Sequence, residues 1–180
     1  FIMGIVLRMP WLVVFAVCMA IILTTAWFWN SKSLHDVTYK RNFRFRRGFP
    51  GEPLKASIEV ENAKCLPINW LKTEDRWPYS VGPSDRNELM LTHVPEAGNL
   101  FNLFSLRWHQ KTRRNFDFVF KKRGLFAVGP AAIESGDPFG MMKSTVELEK
   151  PEYLIVFPEI LPLDSLKLNT EDPLGQQAAR

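Results

Sequence analysis

The side chains that could do chemistry are few and scattered. Three histidines (His35, His93 and His109) and two cysteines (Cys18 and Cys65) are spread over 180 residues. No histidine stands at a close ligand spacing from another histidine or a cysteine, which gives no basis for a metal site. His35 follows an apolar segment by six residues and reads as an ordinary interfacial histidine. No serine sits in a Gly-x-Ser-x-Gly elbow, and no glycine-rich phosphate loop or dinucleotide fingerprint is present. The acidic pairs Glu74-Asp75 and Glu171-Asp172 are expected on surface loops, where solvated charge is the default. Catalysis is therefore not expected, and no cofactor is implied.

The remaining chemistry is electrostatic. Much of the net charge of +4 comes from one stretch, Lys32, Lys40, Arg41, Arg44, Arg46 and Arg47, opposed only by Asp36. Its core, Tyr39 to Arg47, interleaves aromatic and basic residues, a pattern that can stack bases and contact phosphates. The same pattern beside a bilayer gains about 1 kcal/mol per Lys or Arg from anionic headgroups. Its aromatic residues are also what a sandwich strand needs on its core face. The lipid and topological reading is preferred, a protein-docking surface comes second, and nucleic acid is not expected as a partner.

The bilayer reading rests on what precedes the basic stretch. Trp11 to Trp29 is a run of 19 residues without a charge. As a helix it spans about 28 Å, close to the hydrocarbon thickness of a membrane. Trp11 at one end and Trp27 and Trp29 at the other suit the headgroup boundaries. A cleaved signal peptide would have a shorter apolar region and small residues at the cleavage site, unlike the AWFWNSKS segment. Phe1 to Leu7 is a second apolar piece, set apart by Arg8-Met9-Pro10. It reads either as the end of a preceding helix in a hairpin or as the ragged start of one span. More Lys and Arg follow the helix than precede it, so the positive-inside rule puts the rest of the chain in the cytoplasm. Cys18 lies in the apolar run and Cys65 in the soluble part, so a disulfide is not expected.

From Val37 onward the dominant period is two. Val37, Tyr39, Arg41, Phe43 and Phe45 alternate with polar residues, as do Leu54, Ala56, Ile58 and Val60, and Phe116, Phe118 and Phe120 alternate with Asn115, Asp117 and Val119. These predict half-buried strands. Leu100 to Trp108 suits a central strand, Tyr153 to Phe157 a buried one, and Met141 to Leu148 a further strand. Turns are predicted at Phe49-Pro50-Gly51, Val81-Gly82-Pro83, Arg123-Gly124, Gly129-Pro130 and Gly136-Asp137-Pro138. Trp70, Trp77 and Trp108 are expected in the core or packed at its edges. Short strands without alternating helices imply an all-β fold, an antiparallel immunoglobulin-like sandwich after an N-terminal transmembrane helix. The division is 1–30 anchor, 31–160 sandwich, and 161–180 extended tail or linker to a missing domain.

The stretch from Lys121 to Met142 is the most distinctive. Gly124 permits a reversal, Gly129-Pro130 marks a second turn, and Asp137-Pro138-Phe139-Gly140 forms a third, its Asp suited to an Asx turn and its Gly to positive φ. With the basic strand, Gly51-Glu52-Pro53, Val60-Glu61-Asn62 and Val156-Phe157-Pro158, these pieces resemble the bacterial family called domain of unknown function 58. The resemblance covers roughly Trp11 to Pro162. It implies a membrane hairpin, a basic juxtamembrane strand and a β-sandwich, usually followed by a von Willebrand factor A-like domain, and an association with MoxR-type AAA+ ATPases. It carries over no enzymatic residue, and the sequence stops where the von Willebrand-like domain would begin.

Two binding roles follow, with a third reading in which a catalytic domain lies outside this sequence. One is a scaffold on the cytoplasmic face of the bacterial inner membrane, with the lipid bilayer and other proteins, including an AAA+ ATPase, as partners. The other is an accessory subunit of a multi-subunit photosynthetic or respiratory membrane complex.

Overall fold

The computed structural model describes residues 10–83, 89–148 and 150–160. The apolar run forms one helix, α1 (Pro10–Ser33). Pro10 opens it, where a missing N–H leaves no helical bond unmade. The strands follow in order: β1 (Val37–Phe43), β2 (Arg47–Gly48), β3 (Pro53–Asn62), β4 (Ile68–Pro78), β5 (Val81–Pro83), β6 (Met90–Leu91), β7 (Ala97–Leu106), β8 (Lys111–Phe120), β9 (Gly124–Val128), β10 (Ala131–Gly136), β11 (Lys143–Leu148) and β12 (Glu152–Val156). Phe1 to Leu7 and the tail from 161 lie outside the described residues.

One sheet has the order β1-β3-β8-β5 and a second the order β11-β10-β4-β7-β6, with every neighbouring pair antiparallel in both. They pack face to face through Leu54, Ile58, Val60 and Phe118 of the first and Leu71, Trp77, Leu100, Phe104 and Leu106 of the second. The Trp77 and Phe118 rings meet edge to face at 4.5 Å, a geometry aromatic pairs prefer. This is the immunoglobulin-like sandwich that the alternation predicts. A third, three-stranded sheet, β2-β12-β9, contributes Val128, Leu154 and Val156 to the same core. It contains a parallel pair, β2 with β12, which the antiparallel expectation did not include.

Several local expectations need correction. Val81-Gly82-Pro83 is not a turn but a strand, paired through Val81 with Phe120. Trp108 is not core: it follows β7 and is 68% exposed, while Trp77 is buried and Trp70 half-buried. Phe45 lies beyond the end of β1 and is exposed. Tyr153 is also exposed, because β12 buries only its Leu154 and Val156 face.

Candidate interaction surfaces

Helix α1 is apolar around its whole circumference. Trp11, Val14, Phe15, Val17, Ile21, Leu23 and Trp27 are all exposed, and Trp29 is half-buried. Its few hydroxyls turn inward: Thr24 donates to the Ala20 carbonyl and Thr25 to that of Ile21, both at 2.7 Å. That leaves the indole N–H groups of Trp11, Trp27 and Trp29, which stand at the two ends of the run, where a membrane helix meets the headgroups. Among the described residues it is the one helix long and apolar enough to cross a membrane.

The C-terminal turns of α1 are fixed to the sandwich. Ala26 and Ser33, two turns apart on one face, are fully buried or nearly so. Asn30 accepts from the Ser144 hydroxyl of β11 at 3.1 Å. The Lys64 ammonium donates to the carbonyls of Lys32 (2.8 Å), Ser33 (2.5 Å) and His35 (2.9 Å). A helix ends with unpaired carbonyls at the negative pole of its dipole, so a cation there closes the end. Burial pulls the pKa of Lys64 down to about 8, with Asp36 acting in the opposite direction.

The basic stretch divides by burial. Lys32, Lys40, Arg44, Arg46 and Arg47 are exposed, in keeping with headgroup or partner contact. Arg41 is not: it shares the core-facing phase of β1 with Tyr39 and Phe43, and its side chain is 5% exposed. Its guanidinium binds Asp75 bidentately, Nε to Oδ2 at 2.7 Å and Nη2 to Oδ1 at 2.8 Å. The Tyr39 hydroxyl (2.9 Å) and the Trp77 indole N–H (3.0 Å) donate to the same carboxylate. Asp75 is therefore a buried acceptor on β4 rather than a solvated loop charge, and Arg41 is a bridge between the sheets rather than a lipid contact. Burial works against the Arg41 charge, and Asp75 more than restores it, so its pKa lies above the ordinary value. Burial and the Asp75 carboxylate push the Tyr39 phenol well up. Outside this pair, Arg46 meets Glu152 at 2.6 Å, and Glu152 lies 3.8 Å from Arg41.

Of the predicted turns, Gly129-Pro130 lies against this network. Gly129, at φ +105°, passes against Arg41; a Cβ there would sit 2.9 Å from Nη2. Pro130 follows through a cis bond. Gly124 opens β9 at φ +147°. Asp137 is fully buried and accepts from the backbone N–H of Phe139 at 2.9 Å and of Met142 at 2.5 Å. Burial pushes its carboxyl up, but these backbone donors outweigh it and hold it below the ordinary range. Pro138 occupies the turn, and Gly140 (φ +72°) returns its N–H to the Asp137 carbonyl at 3.2 Å.

One pairing was not readable from spacing. Cys65 Sγ lies 3.2 Å from His109 Nε2, both on exposed turns. Buried Asn62 brings the turns together by donating to the carbonyls of Leu66 and Arg107. Among the described residues no group of three His, Cys, Asp or Glu side chains is placed to hold a metal ion.

No protein-family model matches the chain. No curated protein matches it in sequence. Among solved structures it is similar to the CARDB domain of a Pyrococcus furiosus protein in complex with di-metal ions, at 12% identity and a TM-score of 0.44, covering 69% of this chain and 94% of that one. It is also similar to a cohesin module of a Clostridium perfringens family 33 glycoside hydrolase, at 11% identity and a TM-score of 0.38, covering 69% and 97%. The sporulation control protein Spo0M of Bacillus subtilis matches at 10% identity and a TM-score of 0.37, covering 67% of this chain and 49% of that one.

Proposed function

We infer that this chain is a membrane-anchored, non-catalytic scaffold whose sandwich docks protein partners at the cytoplasmic face of a bacterial inner membrane. The observation that carries the reading is α1: apolar on every side, with its threonine hydroxyls bonded within the helix, and joined to the sandwich at Ala26, Ser33 and Lys64. A helix merely tethered to a domain needs no such joint. Fixing the last turns sets the orientation of the sandwich toward the bilayer, which a platform for assembly requires. The flanking cations support the cytoplasmic side. The positive-inside rule acts on the chain as it inserts, so Arg41 counts toward it even though the folded protein hides it.

A second reading, an accessory subunit of a large photosynthetic or respiratory complex, is favoured by one feature of the helix. Ala16, Ala20 and Thr24 recur at the four-residue spacing through which membrane helices approach closely. Extraction in mild detergent, followed by sizing and mass spectrometry, tests both. ATP-sensitive recovery with an AAA+ ATPase supports the first reading, and stoichiometric recovery inside a pigment or redox complex the second. Recovery of the chain alone, free of either, contradicts both.

A further inference from the structure

We propose that the groove between the β6 edge and the connection from β8 to β9 is the docking site for an extended partner segment that alternates apolar and acidic side chains. The proposal rests on the scaffold reading and gives its partner a chemistry.

The groove encloses about 1000 Å³. Its floor is apolar: Leu89 is buried beneath it, Phe126 is half-buried, and Met90 (62%) and Leu91 (93%) are exposed along its length. With Val94 (39%), these residues gather into one exposed apolar patch at the groove, and such a patch bordered by charge marks an interaction site. β6 is also the edge of the five-stranded sheet. It pairs with β7 through Met90 opposite Asn99 and Leu91 opposite Gly98, and its outer backbone groups face away from any strand in the described residues. An edge with no strand beyond it among the described residues, set beside an apolar trough, is the geometry of strand addition, in which alternate side chains of the incoming segment point into the trough.

The rim supplies the sign. Lys121, Lys122 and Arg123 run consecutively along one wall. The Lys121 ammonium is used by the Pro83 carbonyl at 2.5 Å. Lys122 and Arg123 have no ion pair among the described residues, unlike Lys111 and Arg113, which share Glu59. Cations with no ion pair among the described residues, set beside an apolar floor, select a segment that brings carboxylates.

The walls are already formed. Lys121 N–H donates to the Ser80 carbonyl at 2.8 Å, and Tyr79 N–H donates to the Glu96 carbonyl at 3.0 Å. Gly98 lets β6 close on β7, since a Cβ there would meet Leu89 Cβ at 2.7 Å. A preformed groove spares the incoming segment the ordering of its host.

The test uses the full chain in lipid nanodiscs and three fluorescent twelve-residue peptides: alternating leucine and glutamate, the same with lysine for glutamate, and the same with serine for leucine. The leucine–glutamate peptide is expected to bind, with the other two at least tenfold weaker. Reversing the rim (Lys122→Glu with Arg123→Glu) should weaken that binding roughly tenfold, as should Leu91→Ser. Lys55→Glu with Arg107→Glu, exposed cations outside the groove, should leave it unchanged. Equal binding by the rim-reversed chain, or equal loss in the Lys55/Arg107 control, overturns the proposal. So does a tenfold gain on removing residues 161–180, which would make the chain's own end the occupant, or dimerisation that Leu91→Ser abolishes, which would make a second copy the occupant. Native co-purification unaffected by the rim reversal would sink this site while leaving the scaffold reading intact.

Discussion

Arg41 and Arg46 sit five residues apart in one basic stretch, and the fold puts them to opposite uses. Both form ion pairs with short contacts, 2.7 Å to Asp75 and 2.6 Å to Glu152. The Arg41–Asp75 side chains are 5% and 0% exposed, whereas Arg46 is 62% exposed. Position makes the difference: Arg41 falls on the side of β1 that carries Tyr39 and Phe43, and Arg46 lies in the connection between β1 and β2. An exposed pair stays hydrated and contributes little. A buried pair has shed its water and stands only because every lone pair and donor is met. Asp75 meets that condition with four donors, two from Arg41 and one each from Tyr39 and Trp77.

The largest effect should come from breaking the buried pair on one side. Asp75→Ala strips the Arg41 guanidinium of its bidentate partner between the sheets, leaving only Glu152 at 3.8 Å, and should destabilise the sandwich by about 3–5 kcal/mol, read as a shift in the denaturant midpoint in detergent micelles. Replacing both partners (Arg41→Met with Asp75→Leu) should recover most of that loss, since the penalty lies in the orphaned charge rather than in the absent pair.

Tyr39→Phe removes one donor and should lower stability by about 1 kcal/mol. It also tests the pH dependence. The unfolded phenol ionises near 10.0, while the folded one holds its proton well above that. The folded state therefore binds more protons as pH rises past 10, and stability should fall there in the wild type. In Tyr39→Phe that decline should be shallower.

Lys64→Met opens the carbonyl end of α1 and should weaken the helix–sandwich joint by about 0.3–1 kcal/mol, visible as faster hydrogen exchange around Lys32 to Asp36. The Lys64 pKa is lowered from 10.5 to about 8, so between those values the unfolded chain holds the extra proton. Stability should rise with pH across that window in the wild type, and this contribution should vanish in Lys64→Met. Arg46→Ala is the smallest change expected, within about 1 kcal/mol; a loss as large as that of Asp75→Ala would erase the distinction between the two arginines.

The same comparison shows what could be read from the chain. Leu54, Ala56, Ile58 and Val60 occupy the buried face that their alternation predicts, and Trp11 to Trp29 falls within α1. A period of two or an apolar run is a local signal. The Arg41–Asp75 contact is not local, since it joins strands of different sheets 34 residues apart. A trace of it was nonetheless present. Arg41 stands in phase with Val37, Tyr39 and Phe43, and Asp75 in phase with Leu71, Thr73 and Trp77, so each strand carries one charge of opposite sign on its apolar face. A charge in a core phase needs a partner, and the other was available. The groove beside β6 left a fainter trace. Met90-Leu91 is too short to alternate, and Lys121 to Arg123 reads as a hairpin end until the fold brings the two together.

The proposed anchored, cytoplasmic placement of the sandwich is open to one direct measurement. Cys18 lies in the apolar run and Cys65 on an exposed turn. In a Cys18→Ser chain, a membrane-impermeant maleimide should modify Cys65 in inverted vesicles and not in sealed right-side-out vesicles, with detergent-opened vesicles showing full reaction. Modification of Cys65 in the right-side-out vesicles would place the sandwich on the other face and contradict the account.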